Sequence, residues 1–442
     1  MGFVLFLLTN ALFLYQPAAF WPELASYSLY QYAILTCLAV ALPSILTNLL
    51  DLEKLHRQPI TVCVLGLLAA AVLSNLLFQF NLTDAKESGI AFAKIVVYYL
   101  VFISLVNTPE RLRGFLTWLA FLVAGLAVLT LLQYYHVIEI ESLRVLEQKD
   151  IKESGEVDVV LRLRGIGEFN DPNDFCLLLL LGMGIAFFKL TAPEAGLARG
   201  FWLAFLGLFG FALFKTQSRG GLLALVVGAA AWSYLRYGFW KTAGLGLLAV
   251  PALIFLAGGR QADLVSSLHQ DTGQSRILLW EEALVYLKQA PLFGIGYGQF
   301  VEEVHHVVHN SFLQSFAELG LFGGPMFLGM FFAAVASLYR LGGKGVHIAD
   351  PWLARLRPYL LAMVCAYAAG LCALSRAYVV ATYLVLGLVT SYLTLVDQSA
   401  NLPIVRSNGR FLQHVALASL VFLVLMKILV SVMARWSGIS AV

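Results

Sequence analysis

Apolar runs long enough to cross a bilayer recur along this chain, and no other feature limits its fold so tightly. About 20 apolar residues in helical form span roughly 30 Å of hydrocarbon. Such runs lie near 3–21, 28–48, 60–80, 90–107, 114–135, 173–190, 200–215, 220–236, 242–258, 311–340, 358–375, 378–396 and 412–434. Backbone surrounded by lipid must satisfy its own hydrogen bonds, so each run is predicted to be a helix. Only 12% of the residues are charged, against roughly 25% in soluble domains, so lipid is the solvent for most of the surface. The expected fold is all-α: a polytopic membrane protein forming a single membrane domain over 1–442, with about 12–13 transmembrane helices. No fixed period of roughly 20–50 residues is visible, which argues against a solenoid.

The formal net charge of +3 is small for 442 residues and forms no basic stripe, so nucleic acid is not an expected partner. Cys37, Cys63, Cys176, Cys365 and Cys372 all fall inside apolar runs without C-x-x-C spacing, and read as small core residues rather than disulfides or metal ligands. The opening MGFVLFLLTNALFLYQP has neither a basic n-region nor a small-residue cleavage site, and reads as a retained first span.

Charge in the short loops orients the chain. One alternate set holds fourteen cations: Lys54, Arg57, Arg111, Arg113, Lys189, Arg199, Arg236, Lys241, Arg340, Lys344, Arg355, Arg357, Arg406 and Arg410. The other short loops hold four: Lys86, Lys215, Arg219 and Arg376. Positive charge stays in the cytoplasm, so the first set is predicted to be cytoplasmic. Two long polar segments then lie outside: 136–172, leading into a span, and 259–310, carrying an amphipathic helix. The short turn KTQSR at 215–219 joins them.

Four motifs concentrate in these outer segments. In RLRGIGEFNDPNDF, Asp171 before Pro172 reads as a helix N-cap, with Asn173 and Asp174 in the first turn. Arg162 and Arg164 add positive charge above a helix N-terminus that already favours anions. In TQSRGG, Arg219 is followed by Gly220 and Gly221, which allow close backbone approach; an anion site and snorkelling to head groups are both open. In SRILLWEEALVYLKQAPLFGIGYGQF, a helix is expected from Ser275 to Gln289, with Ile277, Trp280, Leu284 and Leu287 on one face and Pro291 ending it. Arg276 falls in its first turn, where the dipole disfavours a cation, and Gly294 to Gly298 reads as a flexible turn. In HHVVHNSFLQ, His305 and His309 are four apart, but no H-E-x-x-H pattern or third ligand supports a metal, so no metal site is assigned. For His309, beside Asn310 at a span entrance, general acid/base chemistry is favoured over a structural role.

Cations collected at one membrane surface, with mostly clean apolar spans between, favour surface chemistry on a membrane-embedded substrate over a transporter, which would place ionisable groups near the bilayer midplane. Guanidinium forks suit phosphate oxygens. The motifs RGIGEFNDPNDF, SRGG, SRxxxWxxAL, PLFGIGYGQF and HNSFLQ resemble the O-antigen ligase and O-antigen polymerase superfamily, most specifically over 160–325. The resemblance implies a bacterial inner-membrane, multi-pass glycosyltransferase working at the periplasmic face. It would move a glycan from undecaprenyl diphosphate to a hydroxyl of lipid A core, a glycan end or a protein, with inversion and no cofactor or metal. It further implies that Arg219 and Arg276 hold the diphosphate and His309 serves the acceptor. Arg162, Arg164, Glu168, Asp174 and Asn310 are the supporting candidates. A polymerase or a protein O-oligosaccharyltransferase is the alternative within the superfamily, and a non-enzymatic transporter the alternative outside it.

The loop asymmetry predicts that cysteines placed at Ser154 and Gln299, in a background without reactive native thiols, react with membrane-impermeant reagents from outside. Labelling of both only after membrane rupture would reverse the orientation.

Overall fold

A computed structural model describes residues 1–151, 157–257, 271–397 and 402–436. Ser154 and the outer segment before residue 271 lie outside them. Each of the thirteen apolar runs contains a helix, with turns or bends at the ends of several, and ten helices among the described residues are long and apolar enough to cross a membrane. The runs near 220–236, 242–258 and 358–375 become helices Arg219–Tyr237, Phe239–Ala257 and Pro351–Leu371. Local chemistry sets several starts: Asp51, Thr108, Asp171, Ser218 and Asn310 each cap a helix with a side-chain oxygen. Proline stands in the first turn at Pro59, Pro109 and Pro172, where its missing N–H costs nothing.

The chain divides into two compact units, each assembled from three stretches. The first comprises Met1–Ala41, Leu105–Ala262 and Pro351–Gly370. Helix Pro172–Leu190 is central to it and packs against Pro109–Tyr134, Ala198–Lys215 and Arg219–Tyr237. Gly221 permits one of these approaches, since a Cβ there would strike the Cys176 sulfur. This unit also holds an antiparallel hairpin, Leu146–Ile151 with Val157–Arg162, pairing Leu146 with Arg162. That hairpin is an addition to the all-α expectation.

The second unit comprises Leu42–Ser104, Asp263–Asp350 and Leu371–Val442. A hydroxyl chain runs through its centre from Thr61 to Tyr99 to Thr390, at 2.9 Å for each link. Such links hold helices together where lipid supplies no hydrophobic drive. Helix Ser311–Arg340 is one predicted span, yet Gly320 breaks it with φ 63° and ψ −159°. The Ala317 and Glu318 carbonyls accept from the Ile295 and Gly296 N–H groups at 3.1 and 3.0 Å. The Leu321 and Phe322 N–H groups donate to Pro291 and Leu292 at 2.8 and 3.0 Å. The glycine-rich turn is therefore pinned to a broken helix rather than free to flex. Gly294, Gly296 and Gly298 all have positive φ, as the turn reading requires.

The sequence reading also needs correcting for two other features. Helix Asp271–Gln289 begins before Ser275, which moves Arg276 out of the first turn and weakens the dipole argument made for it. Of the cysteines, Cys37, Cys63 and Cys176 are buried, but Cys372 is exposed, and it is the native thiol to remove before any labelling.

The broken helix generates a paired prediction. A Cβ at Gly298 meets nothing, so Gly298→Ala bears only the left-handed backbone cost of about 1–2 kcal/mol. A Cβ at Gly294 meets the Glu318 backbone, so Gly294→Ala adds roughly 1–3 kcal/mol or more of overpacking. Thermal unfolding in detergent should rank Gly294→Ala well below Gly298→Ala, and equal melting would contradict the pinned segment.

Candidate functional site

In the first unit, two of the sequence motifs meet. The hairpin strand ending at Arg162 continues onto the turn at 215–218: Leu163 N–H donates to the Lys215 carbonyl at 2.9 Å. Arg162, only 7% exposed, spreads its fork over three segments. Its Nε donates to the Thr216 carbonyl at 3.0 Å, Nη1 to Gln148 Oε1 at 3.1 Å and Nη2 to Asn173 Oδ1 at 3.2 Å. Asn173 Oδ1 also accepts from the Ser218 hydroxyl at 2.6 Å, and Ser218 Oγ accepts from Gly221 N–H at 3.0 Å. Asp171 caps its helix as expected, accepting from Asn173 N–H at 2.7 Å.

Two helix N-termini, those of Pro172–Leu190 and Arg219–Tyr237, are thus tied together through Asn173 and Ser218. Each presents the positive end of its dipole. Arg219 opens the second helix, half-buried, and Asp174 lies buried in the first turn of the other. Glu168 is half-buried in the short turn Gly167–Phe169, and Arg164 Nε donates to the exposed Arg144 carbonyl at 2.7 Å. The Lys215 ammonium lies 5.0 Å from the Tyr134 ring and 5.5 Å from Phe211, so aromatic faces engage this cation.

In the second unit, the arrangement centres on the entrance to helix Ser311–Arg340. Asn310 caps it, its side chain accepting from Leu313 N–H at 3.1 Å. His309 precedes it, half-buried, with φ 56°. Such a conformation in a bulky residue has to be held by its surroundings. Here the His309 N–H donates to Ser375 Oγ at 2.9 Å. Ser311 Oγ donates to the Leu374 carbonyl at 2.6 Å and accepts from Arg376 N–H at 2.8 Å, so two serines clamp the turn 374–376 to the helix start. Helix Asp271–Gln289 is tied to the same place, because Trp280 Nε1 donates to the Val308 carbonyl at 3.0 Å. Arg276 lies one helical turn before Trp280, on the same face. The expected apolar face is present, with Ile277, Leu284 and Leu287 buried.

His305 ends the short helix Gln299–Val304 with φ 58°, so it does not share a helix with His309 as a paired metal site would need. The sequence reading missed the Ser375–Arg376 turn, and also Glu318, a fully buried carboxylate within a span. The Tyr297 phenol, outside the span, is pushed up from its ordinary value by burial and then by the Glu318 charge. A lone ionisable residue in an apolar run was the available signal for Glu318.

Residues 203–328 match the family model for O-antigen ligase, which supports the O-antigen ligase superfamily for this chain and bears out the resemblance over that stretch. The matched stretch contains Arg219, Arg276, His309 and Asn310; Arg162, Arg164, Glu168 and Asp174 precede it. No curated protein matches the chain.

The bracing of the first unit predicts unequal arginines. Asn173→Leu removes the acceptor shared by Arg162 and Ser218, and should cost roughly 1–3 kcal/mol for each buried donor left unmade. Arg164→Ala, at an exposed carbonyl, should stay within about 0.5 kcal/mol of the parent. Melting in detergent checks both, and an Asn173→Leu protein as stable as Arg164→Ala would remove Arg162 as a brace.

Proposed function

We propose that this multi-pass membrane protein of the O-antigen ligase type transfers a glycan from undecaprenyl diphosphate to an acceptor hydroxyl on the periplasmic side of the bacterial inner membrane. The observation that carries the reading is the left-handed, doubly clamped His309 at a helix entrance within the matched stretch. A histidine titrates near neutral pH and can accept the proton of an attacking hydroxyl. A backbone so held limits the positions from which the ring can meet the acceptor.

In the proposed reaction the acceptor oxygen attacks the anomeric carbon from the face opposite the diphosphate. The new carbon–oxygen bond forms as the bond to the diphosphate oxygen breaks, which inverts the centre. The hydroxyl proton passes to His309, and the carrier leaves as undecaprenyl diphosphate. Negative charge grows on the leaving oxygens, so fixed positive charge there lowers the barrier. Arg219 and Arg276 are assigned to the carrier phosphates. The paired helix N-termini of the first unit favour the same sign of ligand as Arg219. Asp174, Glu168, Arg164 and Asn310 are supporting groups, and Arg162 supports by bracing. The acceptor hydroxyl belongs to lipid A core, a glycan end or a protein, with lipid surrounding the helices.

The test combines purified protein and cells. His309→Ala should bind carrier glycan in detergent but transfer at least roughly a hundredfold more slowly, the low end of general-base catalysis. Arg219→Ala and Arg276→Ala should each weaken carrier binding by roughly 2–5 kcal/mol. Transfer near the parent rate by His309→Ala removes it from the mechanism. In a deletion strain, loss of long-chain attachment supports the ligase reading. Single repeat units would move the assignment to polymerase, and unaltered surface glycan would move it to transport.

A further inference from the structure

Helix Pro109–Tyr134 ends in a tight reversal within the first unit. His136 takes φ 56° and donates its N–H to the Gln133 carbonyl at 3.1 Å, and Val137 N–H reaches back to the Leu132 carbonyl at 2.9 Å. The chain that follows is held down: Leu143 is buried, the Ser142 hydroxyl donates to the Ala19 carbonyl at 2.9 Å, and the Arg144 carbonyl takes Arg164 Nε. The reversal and this chain enclose a cavity of about 530 Å³, lined in part by Gln133, His136, Glu139, Glu141, Arg144 and Glu147. That volume lies inside the range of roughly 300–1,000 Å³ usual for small-molecule sites.

Sites of that size are mostly apolar, and this one is not. Its polar groups differ in what they offer. Gln133 is 7% exposed, and its Oε1 accepts from the Ile140 N–H at 2.6 Å. The oxygen must face that donor, so the amide nitrogen is the end turned to the cavity, and among the described residues it donates to no protein group. Glu139, Glu141 and Glu147 offer acceptors only, and Arg144, 3.9 Å from Glu141, offers donors only. Three carboxylates against one guanidinium leave the lining net negative, which disfavours phosphate. Among the described residues no three His, Cys, Asp or Glu side chains converge closely enough to hold a metal ion, so these carboxylates are spread for a larger ligand. An organic cation would bring donors alone and leave the Gln133 amide unmatched. A sugar hydroxyl both donates and accepts, and several on one ring answer carboxylates and amide together.

We propose that this cavity is a glycan subsite, which holds uncharged sugar units by their hydroxyl groups and disfavours sugars bearing carboxylates. The proposal rests on the reading of the protein as a transferase of carrier-linked glycan. Glu147 is followed on its strand by Gln148, which accepts from Arg162, and Arg162 in turn donates to the Thr216 carbonyl, three residues before Arg219. One hairpin thus carries both a wall of the cavity and the tie to the helix start assigned to the carrier phosphates. The sugars belong either to the donor or to a glycan acceptor, and hydroxyl recognition is common to both.

The test uses purified full-length protein in detergent. It is titrated with undecaprenyl diphosphate bearing the glycan of its own strain, with undecaprenyl diphosphate alone, and with the free glycan released from the carrier. Acceptor kinetics are measured beside these. One variant combines Glu139→Gln with Glu147→Gln, both exposed side chains. The other, Gln133→Glu, keeps an oxygen for the Ile140 N–H and removes the amide donor. With donor sugars in the cavity, each variant should bind the glycan-bearing carrier at least roughly tenfold more weakly, the low end for hydrogen bonds to charged groups, and the bare carrier as the parent does. With acceptor sugars there, donor binding should hold and the acceptor KM should rise by the same factor at parent-like kcat. Free glycan oxidised to carboxylates at its primary alcohols should bind the parent more weakly than untreated glycan, and the gap should narrow in the double variant; equal binding by the parent overturns the exclusion of acidic sugars. Parent-like donor affinity and acceptor KM in the double variant overturn the subsite, as does equal weakening of bare carrier. The double variant decides the matter if Gln133→Glu does not fold. If the parent transfers no glycan, the transferase reading fails instead, and free glycan bound by the parent but not by the double variant then carries the subsite alone.

Discussion

A helix broken inside a membrane span has to repair its own backbone, and in the second unit that repair decides where the surrounding residues sit. Each unsatisfied N–H or C=O in hydrocarbon costs several kcal/mol. At Gly320 the groups that a continuous helix would pair with one another, two carbonyls and two amides, pair with residues 291–296. The segment is thereby committed. Gln79 Nε2 donates to the Ile295 carbonyl at 3.0 Å, adding a side-chain tie from the bend that follows helix Pro59–Leu77. Helix Asp271–Gln289 must end where Pro291 begins this pairing, and the chain must leave it through Gly298 toward His309. With Trp280 on Val308 and Ser375 on His309, the loop that carries the histidine is fixed from both sides.

The first unit solves a different problem with different means. There two helix starts are brought together, which would leave orphan N–H groups and concentrated positive dipole ends. Asp171 and Ser218 cap the helices, and Asn173 joins the caps while accepting from Arg162. Arg162 had the appearance of a spare cation when only its position was known. With three donors committed at 7% exposure, its charge serves the turn that carries Arg219. Cys176 against Gly221 shows why the glycine after Gly220 is needed: it admits a neighbouring helix, a different use from the phosphate approach first considered.

Legibility followed the strength of the physical demand. The spans were readable because hydrocarbon enforces length and apolarity over whole runs. Asp171-Pro172 was readable as a cap because its chemistry is local, and the Ile277, Trp280, Leu284, Leu287 face because helical periodicity is. The break at Gly320 was not, since E-L-G-L-F-G-G within an apolar run looks like helix until its partner segment is known, and that partner lies more than twenty residues earlier. Glu318 was passed over for a related reason: one carboxylate barely alters the hydropathy of a thirty-residue run. The Leu146–Arg162 hairpin was read as loop because its alternation is charged and short. Roles drawn from the resemblance alone, such as those of Arg219 and Arg276, come from outside the residue pattern and are weighed by experiment.

Helix-end electrostatics sharpen what Arg219 can do. A cation at the first position of a helix opposes the dipole, at a cost of roughly 0.3–1 kcal/mol near the surface. Next to a unit held together by many buried contacts, that cost is small enough to be borne with no ligand present. An anion bound there reverses the sign of both effects, because it is attracted by the guanidinium and by the helix N-terminus together. A diphosphate would add charge-assisted hydrogen bonds, which are roughly twice as strong as neutral ones. The Ser218–Asn173–Arg162 chain keeps the helix start where it is in either state, so little binding energy goes into ordering it. Placing the cation on a braced helix start thus favours recognition of phosphate over simple anchoring: snorkelling to head groups gains nothing from a fixed helix end, whereas a bidentate contact depends on one.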